Sequence, residues 1–439
     1  MKRFGCIFLS LLILCSVFSC VGASAINFDC DVETFSDSIL MVNLDSDMVV
    51  FEKDADTKRY PASLTKIMTF IVVAEYFEDY ENTKIEVKRS VISNLQGSGI
   101  ACSGLERHIG KKLSVKDLMY TMMIPVGHDA ATVLSDHITK ESGKNFITMM
   151  NDKAKELKLK GTHFSNPTGV HAADHYTTAR DMYFMTKYAM GLPMFSKICS
   201  TATYYIEGDD TPFVTTNYMI DAGRGGEYFY TYAKGVKNGT TDEAGRCLVS
   251  TAMYNGYAYM VVCMHAPYNY EKDVTEQYCM IESANLYRWA FLNLEFVTQA
   301  TTSTPICEQA VVNAWDTESV LLVPQTDLNV ILPNDYNESD ITIRPDNTKP
   351  VSAPIAKGQV ITTGTVYYKD QPFTKVTLVS QDEVKVSFML YFTDLVKSIL
   401  TSIWFLIAVL IVVVLFVIFV GVSSSYNKKK KERTKRKYK

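Results

Sequence analysis

The middle of this 439-residue chain contains few basic residues for its length. Of the 44 Lys and Arg residues, two lie at the N-terminus as Lys2 and Arg3, and nine lie between Lys428 and Lys439. The part of the chain between these two ends, the body, contains the remaining 33 basic residues and 47 acidic ones, so it carries a net charge of about −14. A negative body argues against nucleic acid as a partner, because polyanions bind through clustered Lys and Arg side chains.

The cysteines and histidines lack the spacings of a disulfide framework or a metal site. Seven cysteines remain when the first 25 residues are set aside, and an odd number leaves at least one without a partner. No His-x-x-x-His pair lies on a predicted helix beside a carboxylate. We therefore expect neither a metal nor an organic cofactor. The seven cysteines are Cys30, Cys102, Cys199, Cys247, Cys263, Cys279 and Cys307.

The first 25 residues have the layout of a secretory signal peptide. Lys2 and Arg3 precede an apolar stretch from Ile7 to Val21, and Ala23-Ser24-Ala25 is a small-x-small cleavage signal. A transmembrane anchor is one alternative, but this stretch is short for a span. Lipidation at Cys20 is another. We expect residues 1–25 to be a signal peptide.

The C-terminal region contains the stronger membrane signal. Ile403 to Val422 includes no charged residue, and twenty helical residues span about 30 Å, the thickness of the hydrocarbon core. The basic tail that follows should stay cytoplasmic. The apolar segment could instead be a buried core helix, and the basic tail a nucleic-acid patch. Because the tail directly follows the apolar segment, a span is favoured. We expect a single-pass cell-membrane protein with a transmembrane helix at 401–422, a cytoplasmic tail at 423–439 and its body on the extracytoplasmic face.

Between the two ends, the apolar patterns predict an α+β fold with an antiparallel sheet. After about residue 298 the composition shifts to Thr, Ser and Pro, and short β-rich runs follow. We expect a larger domain at 30–294, a linker, and a small all-β domain at 306–387. Strand patterns occupy 39–43, 48–52, 246–253 and 257–265, and helical patterns occupy 115–123, 130–138, 146–157 and 274–292. Tyr228, Tyr230 and Tyr232 alternate as on one face of a strand. Residues 388–400 resemble an amphipathic stalk.

The sharpest local motif is Pro61-Ala62-Ser63-Leu64-Thr65-Lys66. Residues three apart share one face of a helix, so Ser63 and Lys66 can meet, and the lysine can activate the hydroxyl. A bare Ser-x-x-Lys is weak evidence, since an N-cap serine with an exposed lysine gives the same pattern. Here Lys66 lies between apolar Leu64 and Ile67, which argues against a solvated position.

This stretch, with Ser38 to Asn43 before it, resembles the opening of the low-molecular-weight penicillin-binding proteins, the serine D-alanyl-D-alanine carboxypeptidases. Their second motif, Ser-x-Asn, corresponds to Val126-Gly127-His128 in this chain, followed by Asp129-Ala130-Ala131. Their Asn-Pro-x-Gly is present as Asn166-Pro167-Thr168-Gly169. Their third motif, Lys-Thr-Gly, reads Lys237-Asn238-Gly239. The likeness covers residues from about 30 to 400.

The resemblance implies a β-lactamase/transpeptidase-like catalytic domain, with helices around an antiparallel sheet. It also implies that Ser63 forms an acyl-enzyme with a stem peptide of peptidoglycan ending in D-Ala-D-Ala, and that Lys66 acts as its base. The main-chain N–H groups of Ser63 and Thr240 would bind the oxyanion. Lys237, Asn238, Gly239 and Thr240 would bind the substrate, and β-lactams would act as covalent inhibitors.

Two motifs depart from the family pattern. Valine at position 126 cannot relay a proton, and such transfer is typically worth ~10²- to 10⁴-fold. His128 offers a ring nitrogen that could replace the contact of the asparagine or take over the relay, so we include it among the candidate catalytic residues. Asn238 keeps a hydrogen-bonding group in place of threonine. Because Ser63, Lys66 and Lys237 are retained, we expect an active enzyme.

Two other functions remain open. The altered motifs would also fit a catalytically weak protein that binds peptidoglycan as a scaffold on the same fold. A secreted β-lactamase is a further alternative, against which the β-rich domain and the membrane tether argue.

Overall fold

The computed structural model describes residues 28–97, 100 and 102–437, and the predicted signal peptide lies outside them. The chain divides into two compact units. The first extends to Val297 and includes Asn329–Asp340 and Tyr368–Thr374. The second comprises Thr298–Leu328, Ile341–Tyr367 and the chain from Lys375 onward.

The first unit is built on a five-stranded antiparallel sheet with strand order β2-β1-β9-β8-β7. Its strands are β1 Ser38–Asn43, β2 Val49–Lys53, β7 Ala233–Thr241, β8 Gly245–Tyr254 and β9 Tyr257–Ala266. Asn255 and Gly256 join β8 to β9 with φ values of 49° and 85°, as a two-residue hairpin of this kind requires. The strand patterns predicted at 39–43, 48–52, 246–253 and 257–265 are confirmed as β1, β2, β8 and β9.

Alternation along these strands gives the sheet two apolar faces. Leu40, Val42, Val249 and Met260 lie in one large core cluster with the helices of the first unit. The hydroxyl of Tyr287, on the last helix of this unit, hydrogen-bonds Ser250 and the main-chain N–H of Val261 on the sheet. The predicted α+β class, with helices around an antiparallel sheet, is confirmed.

The helices of the first unit are mostly close to the predicted ranges. They are α1 Lys66–Tyr76, α2 Arg89–Gly97, α3 Val115–Met123, α4 His128–Ser142, α5 Phe146–Glu156, α6 Ala179–Met190, α7 Phe195–Cys199 and α8 Tyr278–Asn293. The short strands are β3 Lys84–Glu86, β4 Lys112–Ser114, β5 Thr203–Tyr204 and β6 Phe213–Val214. In addition, β10 Leu294–Ala300 pairs with β13 Leu328–Pro333.

The second unit contains a six-stranded sheet with order β14-β16-β17-β12-β11-β15. Its strands are β11 Cys307–Val312, β12 Ser319–Pro324, β14 Ile341–Pro345, β15 Val351–Ser352, β16 Val360–Tyr368 and β17 Gln371–Ser380. Two helices follow, α9 Phe388–Thr401 and α10 Ile403–Lys437. Within α10, Ile403–Lys428 is long and apolar enough to cross a membrane, with a mean hydropathy of 3.6 over its most apolar 18 residues. The predicted small β domain and the apolar C-terminal helix are therefore present.

One prediction about local structure is wrong, and the predicted linker differs in part. The alternating tyrosines do not form a strand: Gly226–Tyr228 is a 3-10 turn, and β7 begins only at Ala233. Their rings are held by packing, with Tyr230 stacked on Tyr287 at 5.9 Å between centroids. The predicted linker is also partly structured, because β10 follows α8 directly.

Candidate active site

Ser63 lies on a tight 3-10 turn, Ala62–Thr65, that leads directly into α1 at Lys66. Ala62 has a φ of 47°, a left-handed value that costs free energy for a residue with a Cβ atom. The hydroxyl of Thr65 donates to the Ala62 carbonyl oxygen at 2.8 Å and so supports this turn. The motif predicted that Ser63 and Lys66 share one face of a helix, and the structure instead presents Ser63 on a strained turn just before the helix.

Lys66 is fully buried, and its Nζ lies 2.8 Å from Ser63 Oγ. The same amine donates to the Thr168 carbonyl oxygen at 2.7 Å. Burial, with the positive charge of Lys237 as a smaller cause, holds the pKa of Lys66 well below its usual value. Lys66 is therefore suited to be a neutral amine whose lone pair is available to the serine hydroxyl.

His175 supports the 3-10 turn Ala62–Thr65 that carries Ser63, here called the serine turn. Its Nδ1 accepts the main-chain N–H of Ser165 at 3.1 Å, so the neutral ring carries its proton on Nε2, which lies 2.7 Å from Thr65 Oγ1. Burial lowers the pKa of His175 to about 4 and keeps the ring neutral near pH 7. A chain of hydrogen bonds thus runs from His175 through Thr65 to Ala62. The sequence alone gives no sign of this contact, because nothing local connects His175 with Thr65.

The Asn166-Pro167-Thr168-Gly169 segment aims the Thr168 carbonyl at Lys66. Asn166 Oδ1 accepts from the main-chain N–H groups of Thr168 at 3.1 Å and Gly169 at 2.7 Å. Gly169 has a φ of 86°, and a Cβ there would lie 1.8 Å from the Ala62 carbonyl oxygen. Only glycine therefore allows this turn to approach the serine turn so closely.

The third motif lies on β7, which is the last strand in the order of its sheet. A Cβ on Gly239 would lie 2.5 Å from the main-chain nitrogen of Ser63 and 3.1 Å from the Cβ of Ala62. The strand therefore passes beside the serine turn with no space for a side chain. Within the described part of the chain, β7 has a strand neighbour on one side only, so its other edge can pair with an extended peptide.

Lys237, two residues earlier on β7, is buried and donates to the Pro125 carbonyl oxygen at 3.3 Å. Burial lowers the pKa of Lys237 to about 8, so the side chain is predominantly charged at pH 7. Its charge acts on both Lys66 and His128. The structure thus brings together the lysines of the first and third motifs and the histidine of the second.

Asn238 is held by Thr216, a residue that sequence reasoning did not single out. Asn238 Oδ1 accepts from Thr216 Oγ1 at 2.6 Å, and Nδ2 donates to the Thr216 carbonyl oxygen at 3.1 Å. The main-chain N–H of Thr216 donates to the Ile124 carbonyl oxygen at 3.3 Å. Thr216 therefore links the third motif to the segment before the second one. The Asn238 amide keeps one N–H for a further acceptor.

The second motif presents Val126 to solvent, with 38% of its surface exposed, and His128 at the first position of α4. Burial lowers the pKa of His128 to about 3, and repulsion from Lys66 and Lys237 acts in the same direction. Among the described residues, Nδ1 of His128 is buried without a hydrogen-bond partner. The ring is therefore neutral and has one unused nitrogen.

Asp129 holds the segment that supports this motif. Its Oδ2 accepts from the main-chain N–H groups of Ser103 at 2.7 Å and Leu105 at 3.1 Å, and Ser103 Oγ accepts from the N–H of Gly127. Possible ligand atoms of Asp129, Cys102 and Glu106 lie within 4.8 Å of one another. Since main-chain donors already use the Asp129 carboxylate, we assign no metal to this cluster.

The fold and this arrangement agree with comparisons to known proteins. Residues 26–268 match the model of the D-alanyl-D-alanine carboxypeptidase family, and residues 303–386 match that of the penicillin-binding protein 5 C-terminal domain. The chain is similar to D-alanyl-D-alanine carboxypeptidase DacF of Bacillus subtilis, with 29% identity over 74% of this chain and 80% of the relative. It is also similar to D-alanyl-D-alanine carboxypeptidase DacA of Haemophilus influenzae, with 28% identity over 82% of this chain and 88% of the relative.

Among solved structures, penicillin-binding protein 5 of Haemophilus influenzae superposes with a TM-score of 0.63 at 26% identity, covering 80% of this chain and 98% of that one. The fold is thus that of the transpeptidase-like penicillin-binding proteins, with a β-rich domain after the larger one. The chain belongs to the D-alanyl-D-alanine carboxypeptidase family and is a hydrolase of the peptidase class.

Proposed function

We propose that this chain is a serine-type carboxypeptidase that removes the terminal D-Ala from peptidoglycan stem peptides. The observation that carries the proposal is the buried Lys66 amine, 2.8 Å from Ser63 Oγ and held by the Thr168 carbonyl. Burying a lysine costs free energy, and groups with strongly shifted pKa values are concentrated at functional sites. Here the lowered pKa of Lys66 suits a general base.

In the proposed reaction, an extended peptide pairs with the edge of β7, and its terminal carboxylate binds near Lys237 and the free N–H of Asn238. Lys66 takes the proton of Ser63, whose Oγ attacks the carbonyl carbon of the penultimate D-Ala. The N–H groups of Ser63 and Thr240 stabilise the oxyanion. The bond to the terminal D-Ala breaks, the acyl chain stays on Ser63, and water then hydrolyses the ester.

The leaving amine needs a proton, and Val126 cannot supply one. We assign this relay, or the contact of the missing asparagine, to His128. A neutral imidazole can accept a proton on one nitrogen while it donates from the other, and Nδ1 has no partner among the described residues that it would have to give up. The neighbouring lysines disfavour a lasting imidazolium, so the proton would have to pass through rather than remain.

Release of D-Ala from an acylated Lys-D-Ala-D-Ala peptide tests the proposal. We expect release by the full chain, none by Ser63→Ala, and none from the matching peptide that ends in L-Ala. Release that survives in Ser63→Ala would exclude Ser63 as the nucleophile. We also expect penicillin to block release by acylating Ser63, since β-lactams resemble the substrate.

A second candidate function is peptidoglycan binding without turnover, which the exposed Val126 favours. It predicts that the full chain binds the D-Ala-D-Ala peptide but releases no D-Ala over hours. The single substitution Ser63→Ala would then leave binding unchanged and have no activity to remove.

We further propose that Ile403–Lys428 spans the cell membrane with the enzyme domain outside and the basic tail inside. The length and apolar character of this segment and the Lys-rich sequence after it support this topology. Protease added outside intact cells should remove the enzyme domain and spare an epitope placed after Lys439. Protection of the enzyme domain with cleavage of the tail would show the opposite orientation.

A further inference from the structure

The second unit exposes an apolar rim beside the start of α9. This rim consists of Val312, Trp315, Val386 and Phe388, and Trp315 has 74% of its surface exposed. Exposed tryptophan is unusual on a protein surface that meets only water. Tryptophan is instead enriched at the level of the lipid headgroups, where its apolar ring and polar N–H both find partners.

Hydrogen bonds hold the Trp315 rim next to the segment that leads to the predicted span. The main-chain N–H of Trp315 donates to the Lys385 carbonyl oxygen at 3.2 Å, and that of Ser387 donates to the Asn313 carbonyl oxygen at 2.7 Å. Ala314 also forms a β-bridge with Val386. Ser387 then caps α9 by accepting from the N–H of Leu390. The rim and the first turn of α9 are thus parts of one local structure.

The helix α9 continues the apolar surface of the rim. At 100° per residue, eight apolar side chains share one half of the helix, and Lys397 and Thr401 lie on the opposite half together with one apolar residue, Leu390. All eight are exposed in the second unit. They are Phe388, Met389, Tyr391, Phe392, Leu395, Val396, Ile399 and Leu400.

The chain can bend between α9 and the predicted span. Ser402 ends α9 in an extended conformation, with φ −63° and ψ 134°, before α10 begins at Ile403. If α9 stood upright on the membrane, its fourteen residues would hold the rim about 21 Å above the span and leave its apolar half in water. If α9 lies flat, its apolar half and the Trp315 rim reach the interface together.

We propose that the β-rich unit docks on the membrane through the Trp315 rim, with Trp315 inserted at the headgroup level. The proposal rests on the proposed span. The charges beside the rim are Lys385 and the acidic Asp316 and Glu383, which leave no positive excess. The rim therefore binds the apolar part of a lipid interface, and anionic lipid should not be required for this binding.

The chain carries a suitable set of reporters, because it has three tryptophans. Trp289 is buried with 6% exposure, Trp315 lies in the rim, and Trp404 lies in the predicted span. The experiment places the full-length chain in phosphatidylcholine vesicles whose acyl chains carry bromine near the headgroup, which quenches tryptophan at that depth. The variant Trp404→Phe keeps Trp289 and Trp315 as emitters, and Trp315→Phe keeps Trp289 and Trp404.

We expect strong quenching in Trp404→Phe, and its loss when Trp315→Phe is added. A matched control moves the reporter to the far end of the same sheet: Tyr367→Trp in the chain lacking Trp315 and Trp404. Tyr367 lies near the β16–β17 hairpin, about 30 Å along β17 from Ser380 at a rise of ~3.3 Å per residue, and it should not be quenched.

Quenching of Trp404 with no quenching of Trp315 would overturn the docking proposal while the span stands. Equal quenching of Trp315 and the Tyr367→Trp reporter would overturn it as well, because the unit would then adsorb without a defined face. No quenching of Trp404 in Trp315→Phe would instead reject the span, and the docking proposal with it. A requirement for anionic lipid would contradict the apolar nature of the contact.

Discussion

Replacing Gly239 with alanine should nearly abolish acylation while leaving the fold intact. The new Cβ would lie 2.5 Å from the Ser63 nitrogen, and ordinary contact begins at 3.4 Å, so the strand and the serine turn must separate by roughly 0.9 Å. An oxyanion hole works when both donors lie about 2.7–3.1 Å from the oxygen. A shift of this size takes one donor out of range, which typically costs ~10²- to 10³-fold in rate.

The assay is the second-order rate of acylation by a fluorescent penicillin, with thermal unfolding measured beside it. Gly97→Ala is the matched control, because a Cβ at this helical position meets none of the described atoms within 4 Å. The control should acylate like the unchanged chain and unfold at nearly the same temperature, because Gly97 is the last residue of α2 and the preference for alanine, roughly 1 kcal/mol in a helix interior, is smaller at a helix end. If Gly239→Ala acylates at the rate of the control, β7 does not supply the oxyanion hole.

Three further predictions concern the altered motifs and the supporting contacts. The double variant Val126→Ser, His128→Asn should raise D-Ala release by about tenfold or more, since relays are worth ~10²- to 10⁴-fold, and no gain would count against our account of the second motif. His175→Ala should remove the donor to the Thr65 hydroxyl, lower stability by roughly 1–3 kcal/mol in denaturant unfolding and slow acylation, whereas an unchanged acylation rate would show that the chain of hydrogen bonds does not position Ser63. In a pH profile of kcat/KM, activity should fall as pH rises through about 8, where Lys237 loses the charge that attracts the carboxylate, and Lys237→Arg should move that limb to higher pH.

The local motifs could be predicted from the sequence because their residues are adjacent in the chain. Ser63 and Lys66 share one turn, and the hairpin at Asn255-Gly256 follows from the φ values that these two residues tolerate. Their chemistry therefore requires little knowledge of the rest of the fold. The resemblance of the three motifs to those of one family then predicts that these distant parts of the chain meet in one site.

The contacts that support the site could not be predicted in this way. His175 meets Thr65 across 110 residues, and Thr216 meets Asn238 across 22, so neither pair leaves a periodic signal. The close approach of Gly239 to Ser63 likewise depends on how β7 lies against the serine turn. The tyrosines before β7 show the converse error, because an alternating pattern arose from ring packing on α8 rather than from a strand.

The central claim is that Ser63 is a working nucleophile despite the altered second and third motifs. Intact mass of the full-length chain in detergent, with and without benzylpenicillin, tests this claim directly. We expect one added penicilloyl group per chain, located on the peptide that contains Ser63 and absent from Ser63→Ala. A chain that stays unmodified at millimolar drug, while its thermal unfolding shows it to be folded, would contradict the account and favour binding without turnover.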